Sequence, residues 1–215
     1  MLVLGIDESG RGPVIGPMVM GAVLIDDSEN SNLKDLGIRD SKLISPNRRR
    51  YLYDEIMNLA KEVHFIKVSA KEIDDLRKKM SLNEVEAMKI AELIEKFKQR
   101  PDKIIIDLPD PNATMFIRRI SKYADVKEEI IAEHKADFNF PAVAAASIIA
   151  KVQRDMAVEE LEKEHGEIGS GYPSDPRTIA FLNDHKGEEL PFVRYSWSTA
   201  KRTIGSKKQT NLGQW

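Results

Sequence analysis

The sequence predicts an α/β domain: a mixed β-sheet flanked by helices, closed by a helical C-terminal extension. Short apolar runs alternate with segments that carry helix caps, the pattern of strands interleaved with helices. One run, Lys103-Ile104-Ile105-Ile106-Asp107, is apolar without interruption before its final acid, as in an inner strand covered on both faces. From Pro141 onward only helical patterns follow.

Leu2 to Asp7 and Pro17 to Ile25 read as the first two strands. The Gly/Pro-rich loop between them is too short for a crossover, so they should pair antiparallel. After a polar loop, Ser45-Pro46 opens a helix through Tyr51, Ile56 and Leu59, with Ser as N-cap and Pro at the first helical position. Val63 to Val68 is a third strand. Ser69 with Glu72 and Ser81 with Glu84 are capping boxes, each announcing a helix; the second helix carries Val85, Met88, Leu93 and Phe97. The buried strand at Lys103 to Asp107 comes next, then a helix from Asn112 to Ile120 and a strand from Glu129 to Ala132. Pro141 opens the longest helix. Its Ala142 to Ala146 stretch admits a close neighbouring backbone, Ile149, Val152 and Met156 face the core, and Gly166 ends it. Asp175-Pro176 caps a further helix through Ile179 and Leu182.

At 215 residues the chain can bury a full core and fits one domain. It has no cysteine, which excludes disulfides and thiolate metal sites and leaves oxygen ligands to hold any metal. No run of about eighteen apolar residues and no basic-then-apolar leader is present, so a soluble, unsecreted, cytoplasmic protein with no membrane partner is expected. The formal net charge is −2, yet residues 194–215 hold five basic residues (Arg194, Lys201, Arg202, Lys207 and Lys208) and no acid, leaving about −7 on the rest. A basic end beside an acidic body suits a protein that holds cations with phosphates next to them; it equally suits a tail kept soluble by lysines. The four histidines lack the spacing of a zinc site, and no nucleotide-binding phosphate loop occurs.

Four acids are candidates for chemistry. Asp7 and Glu8 stand where the first strand meets the turn Gly10-Arg11-Gly12-Pro13, Asp107 ends the buried strand, and Asp137 precedes the longest helix. Taken alone, the first stretch reads equally as a strand followed by a Gly/Pro turn with solvated acids. Asp7 and Glu8 can share one centre only if the strand ends here and the chain bends, because successive side chains on a strand point to opposite faces. Acids at the ends of neighbouring strands can converge, and crowded carboxylates are tenable when divalent cations neutralise them. Mg²⁺ and Mn²⁺ prefer such ligands and keep waters, one of which can become a nucleophile.

The chain resembles ribonuclease HII, the archaeal single-subunit form of type 2 ribonuclease H. The matching segments are DESGRGPVIGPMV at the start, DSK at Asp40 to Lys42, IIIDLPDP around Asp107, HKAD followed by FPAVAAASIIAKVQRD, GSGYPSDP around Tyr172, and RYSWST from Arg194 to Thr199. They recur in the family's order from Met1 to about Lys201. Ser9 stands where many members carry Ala, and Phe140 where many carry Tyr; neither change removes a ligand.

The resemblance implies a ribonuclease H-like fold, with residues 1–200 as the catalytic domain and 201–215 as a basic tail. It implies endonucleolytic cleavage of RNA in RNA/DNA hybrids and at single ribonucleotides in duplex DNA. The cut falls on the 5′ side of the ribonucleotide, by a two-metal mechanism using Mg²⁺ or Mn²⁺, and leaves 3′-hydroxyl and 5′-phosphate ends. Carried over by motif, Asp7, Glu8, Asp107 and Asp137 are the catalytic acids and metal ligands, with Asp7 the candidate for the bridging ligand. Gly10, Arg11 and Gly12 suit substrate binding, since a backbone without Cβ atoms can lie against a sugar edge, and the 2′-hydroxyl is what marks a ribonucleotide. Tyr172 resembles the family tyrosine that stacks on the following sugar and bonds to the 2′-hydroxyl; on residue type alone it is equally a packed loop anchor. Lys42 and Lys151 are candidate phosphate contacts, against the common alternative of solvated lysines. A monomer is expected.

Two other readings compete with this one. Ribonuclease HIII shares the chemistry but usually carries an extra N-terminal domain, which is expected to be absent here because the chain starts on the catalytic strand. An inactive nucleic-acid-binding relative would lack catalytic acids, and all four are present. Finally, Gln209, Leu212 and Trp215 read Gln-x-x-Leu-x-x-Trp, similar to the sliding-clamp-binding motif of replication and repair proteins but without its second aromatic. One tight helical turn would put Leu212 and Trp215 on the same side; the alternative is a frayed terminus whose Trp packs back on the domain.

Overall fold

A computed structural model describes residues 1–38 and 44–204, so Lys42 and the tail residues Gln209, Leu212 and Trp215 lie outside the described residues. The chain runs β1 (Leu2–Ser9), β2 (Met18–Asp26), α1 (Asn30–Asp35), α2 (Pro46–Leu59), β3 (Glu62–Val68), α3 (Ala70–Arg77) and α4 (Leu82–Ile94). It continues with β4 (Lys103–Asp107), α5 (Ala113–Ile120), β5 (Glu129–Glu133), α6 (Ala136–Asn139), α7 (Pro141–His165), α8 (Pro176–Asp184) and α9 (Ser198–Thr203). None of the described helices is long and apolar enough to cross a membrane.

The mixed sheet has the order β3-β2-β1-β4-β5. The first two strands pair antiparallel, as the short loop requires, and β2 pairs antiparallel with β3. β4 lies parallel to both β1 and β5. Alternation along the strands divides the core into two layers. Leu4, Ile6, Ile104 and Ile106 pack with α4 and α5, while Val3 and Ile105 pack with α2 and α7. A third apolar cluster ties Val14 and Ile15, in the loop after β1, to α8 and the C-terminal segment through Phe181, Leu182, Phe192 and Val193. That cluster is the helical extension.

The close packing of α7 on the sheet fixes where the acids stand. A Cβ on Gly5 would lie 2.2 Å from the carbonyl carbon of Ala142, and one on Gly21 2.5 Å from the Ala146 oxygen. Only glycines opposite the alanine-rich start of α7 allow this approach, so the helix is seated directly over β1 and β2.

Several sequence expectations move by a residue or more. β1 does not stop at Asp7: it stays paired with β2 through Glu8↔Met20 and Ser9↔Val19. α4 ends at Ile94, and Phe97 is buried just beyond it. Met156 is 41% exposed rather than turned to the core. The capping side chains of Ser45, Ser69, Ser81 and Asp175 all accept backbone N–H bonds as read, and Asn112, read only as the start of a helix, caps α5 in the same way. Helices α1, α6 and α9 were not legible, being too short to show a period.

Candidate active site

The site lies at the carboxyl ends of β1 and β4. Pairing between these strands stops at Ile6↔Ile106, so Asp7 and Glu8 extend past the last parallel pair while Asp107 closes β4 beside them. Alternation sends Asp7 to the α7 layer with Val3 and Gly5, and sends Glu8 to the α4 layer with Leu4 and Ile6. The two acids therefore flank the sheet end from opposite faces; the chain does not need to bend before Glu8. The Asp7 carboxylate accepts the Glu8 backbone N–H at 2.7 Å.

Electrostatics join three of the four acids. Asp7 is 5% exposed, and burial, followed by the charges of Glu8 and Asp107, raises its pKa well above the usual value; the Ser147 hydroxyl and the Lys151 ammonium oppose this. Glu8 is pushed up to about 8 by burial, then by Glu86 and Asp107, with Arg11 and a backbone N–H pulling the other way. Lys151 donates to Ser147 Oγ at 2.7 Å, which places both on α7 beside Asp7.

Asp137 is linked through the backbone. Lys135 adopts the left-handed conformation at φ 60° and turns the chain from β5 into α6. The first N–H of α6, on Ala136, donates to Asp107 Oδ1 at 2.8 Å. Asp137, the next residue, is 8% exposed. His134 Nδ1 lies 3.0 Å from the Leu108 carbonyl, so the ring donates there and its Nε2 is the unprotonated nitrogen of the neutral form.

The loop after β1 is held from two sides. Arg11 donates to Glu86 and, at 2.6 Å, to Asn83 Oδ1, both on α4; its side chain is 33% exposed. Glu86 is 1% exposed, and burial raises its pKa to about 7 against the pull of Arg11; its second oxygen, Oε1, has no hydrogen-bond partner. On the other side, Val14 and Ile15 donate to the Gly171 carbonyl at 2.8 and 3.2 Å. This puts Tyr172 against the loop: a Cβ on Gly12 would stand 3.3 Å from its ring. Tyr172 is 38% exposed, and its other neighbour is the Arg154 guanidinium, 5.2 Å from the ring centre.

The structure thus gathers Asp7, Glu8, Asp107, Lys151 and the short α6 turn at one strand end, with Gly10, Arg11, Gly12 and Tyr172 on an adjoining ledge. Sequence reading missed Glu86 and Arg154. Glu86 gave one signal, an acid between Val85 and Ala87 on the apolar side of a helix. Among the described residues no three Asp, Glu or His side chains stand close enough to cage an ion unaided.

A family model described as Ribonuclease HII matches residues 4–200. Ribonuclease HII of Thermococcus onnurineus is 45% identical over 205 residues, covering 94% of this chain and 89% of the relative. The crystal structure of ribonuclease H2 from Pyrococcus horikoshii superposes with a TM-score of 0.89 at 40% identity, covering 95% of this chain and 97% of that one. The ribonuclease HII in a PCNA:RNase HII complex from Archaeoglobus fulgidus gives a TM-score of 0.84 at 38% identity, covering 92% and 96%. The sheet, the flanking helices and these likenesses agree, and the chain belongs to the ribonuclease HII family of ribonuclease H enzymes.

Proposed function

We propose that this endoribonuclease cuts RNA paired with DNA and single ribonucleotides embedded in duplex DNA. The cut falls on the 5′ side of the ribonucleotide and leaves 3′-hydroxyl and 5′-phosphate ends. The observation that carries the reading is the electrostatic state of the strand-end acids. Burial and the charges of neighbouring carboxylates hold Asp7 and Glu8 well above their ordinary pKa values, a cost that divalent cations at the same place would offset. The donors are all carboxylate oxygens, which fits Mg²⁺ or Mn²⁺. Such ions keep several waters in place of a full set of protein ligands.

Asp7, Glu8, Asp107 and Asp137 are the residues that would hold the metals. When bound, two such ions supply an activated water for in-line attack and a Lewis acid at the departing 3′-oxygen. The remaining residues position. Ser147 and Lys151 orient the Asp7 carboxylate, and the Asp107 bond to Ala136 sets the α6 turn beside it. The Gly12 backbone and the Tyr172 ring form the ledge on which a sugar edge can lie and its 2′-hydroxyl can be read. Arg11 anchors that ledge through Glu86 and Asn83, and a third of its side chain stays exposed and available to a phosphate. Lys42 is proposed as a phosphate contact from its motif alone. The test is cleavage of duplex DNA carrying one ribonucleotide by wild type and Asp7→Asn, each with Mg²⁺ or Mn²⁺. Substrate binding without cutting is expected of the variant, and near-wild-type turnover would reject the assignment.

The tail adds a partner. The Archaeoglobus relative is known in complex with PCNA, and Gln209, Leu212 and Trp215 carry the clamp-like spacing, which supports a sliding clamp as the partner of this chain in replication and repair. Tethering raises the local concentration of enzyme at DNA without altering its chemistry.

A further inference from the structure

All three carbonyls of Gly10-Arg11-Gly12 are held by the C-terminal extension. Arg194 donates from Nη2 to the Gly10 oxygen at 2.7 Å and from Nη1 to the Arg11 oxygen at 3.1 Å. Its Nε donates to the Gly16 oxygen at 3.0 Å. Trp197 Nε1 donates to the Gly12 oxygen at 3.2 Å. Arg194 is 0% exposed, and its guanidinium lies 4.9 Å from the centre of the Trp197 ring.

A fully buried arginine is costly unless its donors are satisfied. Burial and the nearby Arg154 charge lower the Arg194 pKa to about 9, so it stays protonated at neutral pH. The structure bears this cost to fasten one short loop. The planar fork matches two successive carbonyls in a fixed geometry that the single ammonium of a lysine does not supply. The segment carrying the two residues is itself fixed: the Tyr195 and Ser196 N–H groups donate to Asp74 at 2.6 and 3.0 Å, and Arg194 N donates to the Val14 oxygen at 2.8 Å. Arg154 completes the wedge. It donates to the Ser170 oxygen at 2.6 Å, and its side chain lies so near Gly10 that a Cβ there would stand 2.8 Å from its Cδ.

We propose that Arg194 and Trp197 are positioning residues for ribonucleotide discrimination: they lock the backbone of Gly10-Arg11-Gly12 in the one orientation that reads a 2′-hydroxyl. This rests on the reading that the loop meets the ribonucleotide. The extension is then part of the specificity apparatus, holding the loop carbonyls while α4 holds the Arg11 side chain.

The experiment measures kcat/KM on a duplex with one ribonucleotide, the inhibition constant of the all-DNA duplex of the same sequence, and the melting temperature. The variants are Trp197→Phe, Arg194→Lys and Gly12→Ala. Trp197→Phe keeps an aromatic ring, though a smaller one, and removes one neutral hydrogen bond, so kcat/KM should fall about three- to tenfold. Arg194→Lys breaks a charged fork and should cost about ten- to a hundredfold. In Trp197→Phe, inhibition by all-DNA duplex and the melting temperature should stay near wild type, since only the reading of the hydroxyl is loosened. If Arg194→Lys fails to fold, Trp197→Phe decides. A parallel loss of all-DNA binding and cleavage in Trp197→Phe would overturn the proposal as a general structural effect. Gly12→Ala tests the underlying reading by placing a methyl on the ledge. Loss in Gly12→Ala with none in Trp197→Phe overturns the proposal alone, and loss in none of the three overturns both.

Discussion

Asp107 Oδ1 accepts the Ala136 N–H at 2.8 Å, so one carboxylate both ends β4 and caps the turn that carries Asp137. Asparagine in its place keeps an acceptor oxygen and alanine does not. Both Asp107→Asn and Asp107→Ala should lose cleavage by about a thousandfold or more if Asp107 holds a metal as proposed, because the ligating charge is then gone. Only the alanine variant should also lose the cap, worth about 1 kcal/mol. Thermal unfolding checks this: the Asn variant is expected to melt above the Ala variant, and equal melting temperatures would contradict the linkage.

The acid cluster predicts an uncommon pH response. Glu8 is raised from 4.5 to about 8, Glu86 from 4.5 to about 7, and Asp7 upward as well. Between the unfolded and folded values the native state binds more protons than the unfolded chain. Metal-free stability from these groups is therefore full below about pH 4.5 and is lost as the pH rises toward about 8. Divalent metal binds the ionised native form, so its stabilising effect should grow across the same window. Melting temperatures from pH 5 to 9, in chelator and in Mn²⁺, measure both curves. A metal-free curve that rises throughout would refute the raised values.

Tyr172 is 38% exposed and its ring lies 5.2 Å from the Arg154 guanidinium, which leaves it accessible for the stacking role proposed above. Tyr172→Ala should lower cleavage at single ribonucleotides about ten- to a hundredfold, the worth of one aromatic stacking contact. Mn²⁺ affinity, read by titration calorimetry, should be unchanged. If affinity and activity fall together, the tyrosine is structural.

Deleting residues 209–215 should abolish binding to the sliding clamp of the same organism and leave cleavage of short oligonucleotides within about twofold, since a tether changes only local concentration. Surface plasmon resonance against the clamp checks the first half. Clamp binding that survives the deletion, or is missing in the intact protein, would remove the tail from the account.

Local signals made most of the fold legible. The capping serines before α2, α3 and α4, the continuous apolar run of β4 and the alanine stretch of α7 each state a requirement of one segment, and each is met. The placement of Asp107 at the end of β4 was legible for the same reason. What the sequence hides is partnership at a distance. Arg11 meets Glu86 across 75 positions, and Arg194 meets Gly10 across 184, with no periodicity to announce either. The RYSWST segment could be recognised, but its part in holding the loop carbonyls comes only from the third dimension. The end of β1 was misread because Gly10 and Pro13 signal a break, whereas pairing with β2 carries the strand through Ser9.

The most direct measurement is to map the product ends from a duplex DNA with one internal ribonucleotide, labelled at either terminus and incubated with Mg²⁺ or Mn²⁺. A single cut on the 5′ side of the ribonucleotide, giving a 3′-hydroxyl on the DNA and a 5′-phosphate on the ribonucleotide, and no cut in chelator, is the expected result. Cleavage on the 3′ side, ends bearing a cyclic phosphate, or undiminished cutting without metal would contradict it.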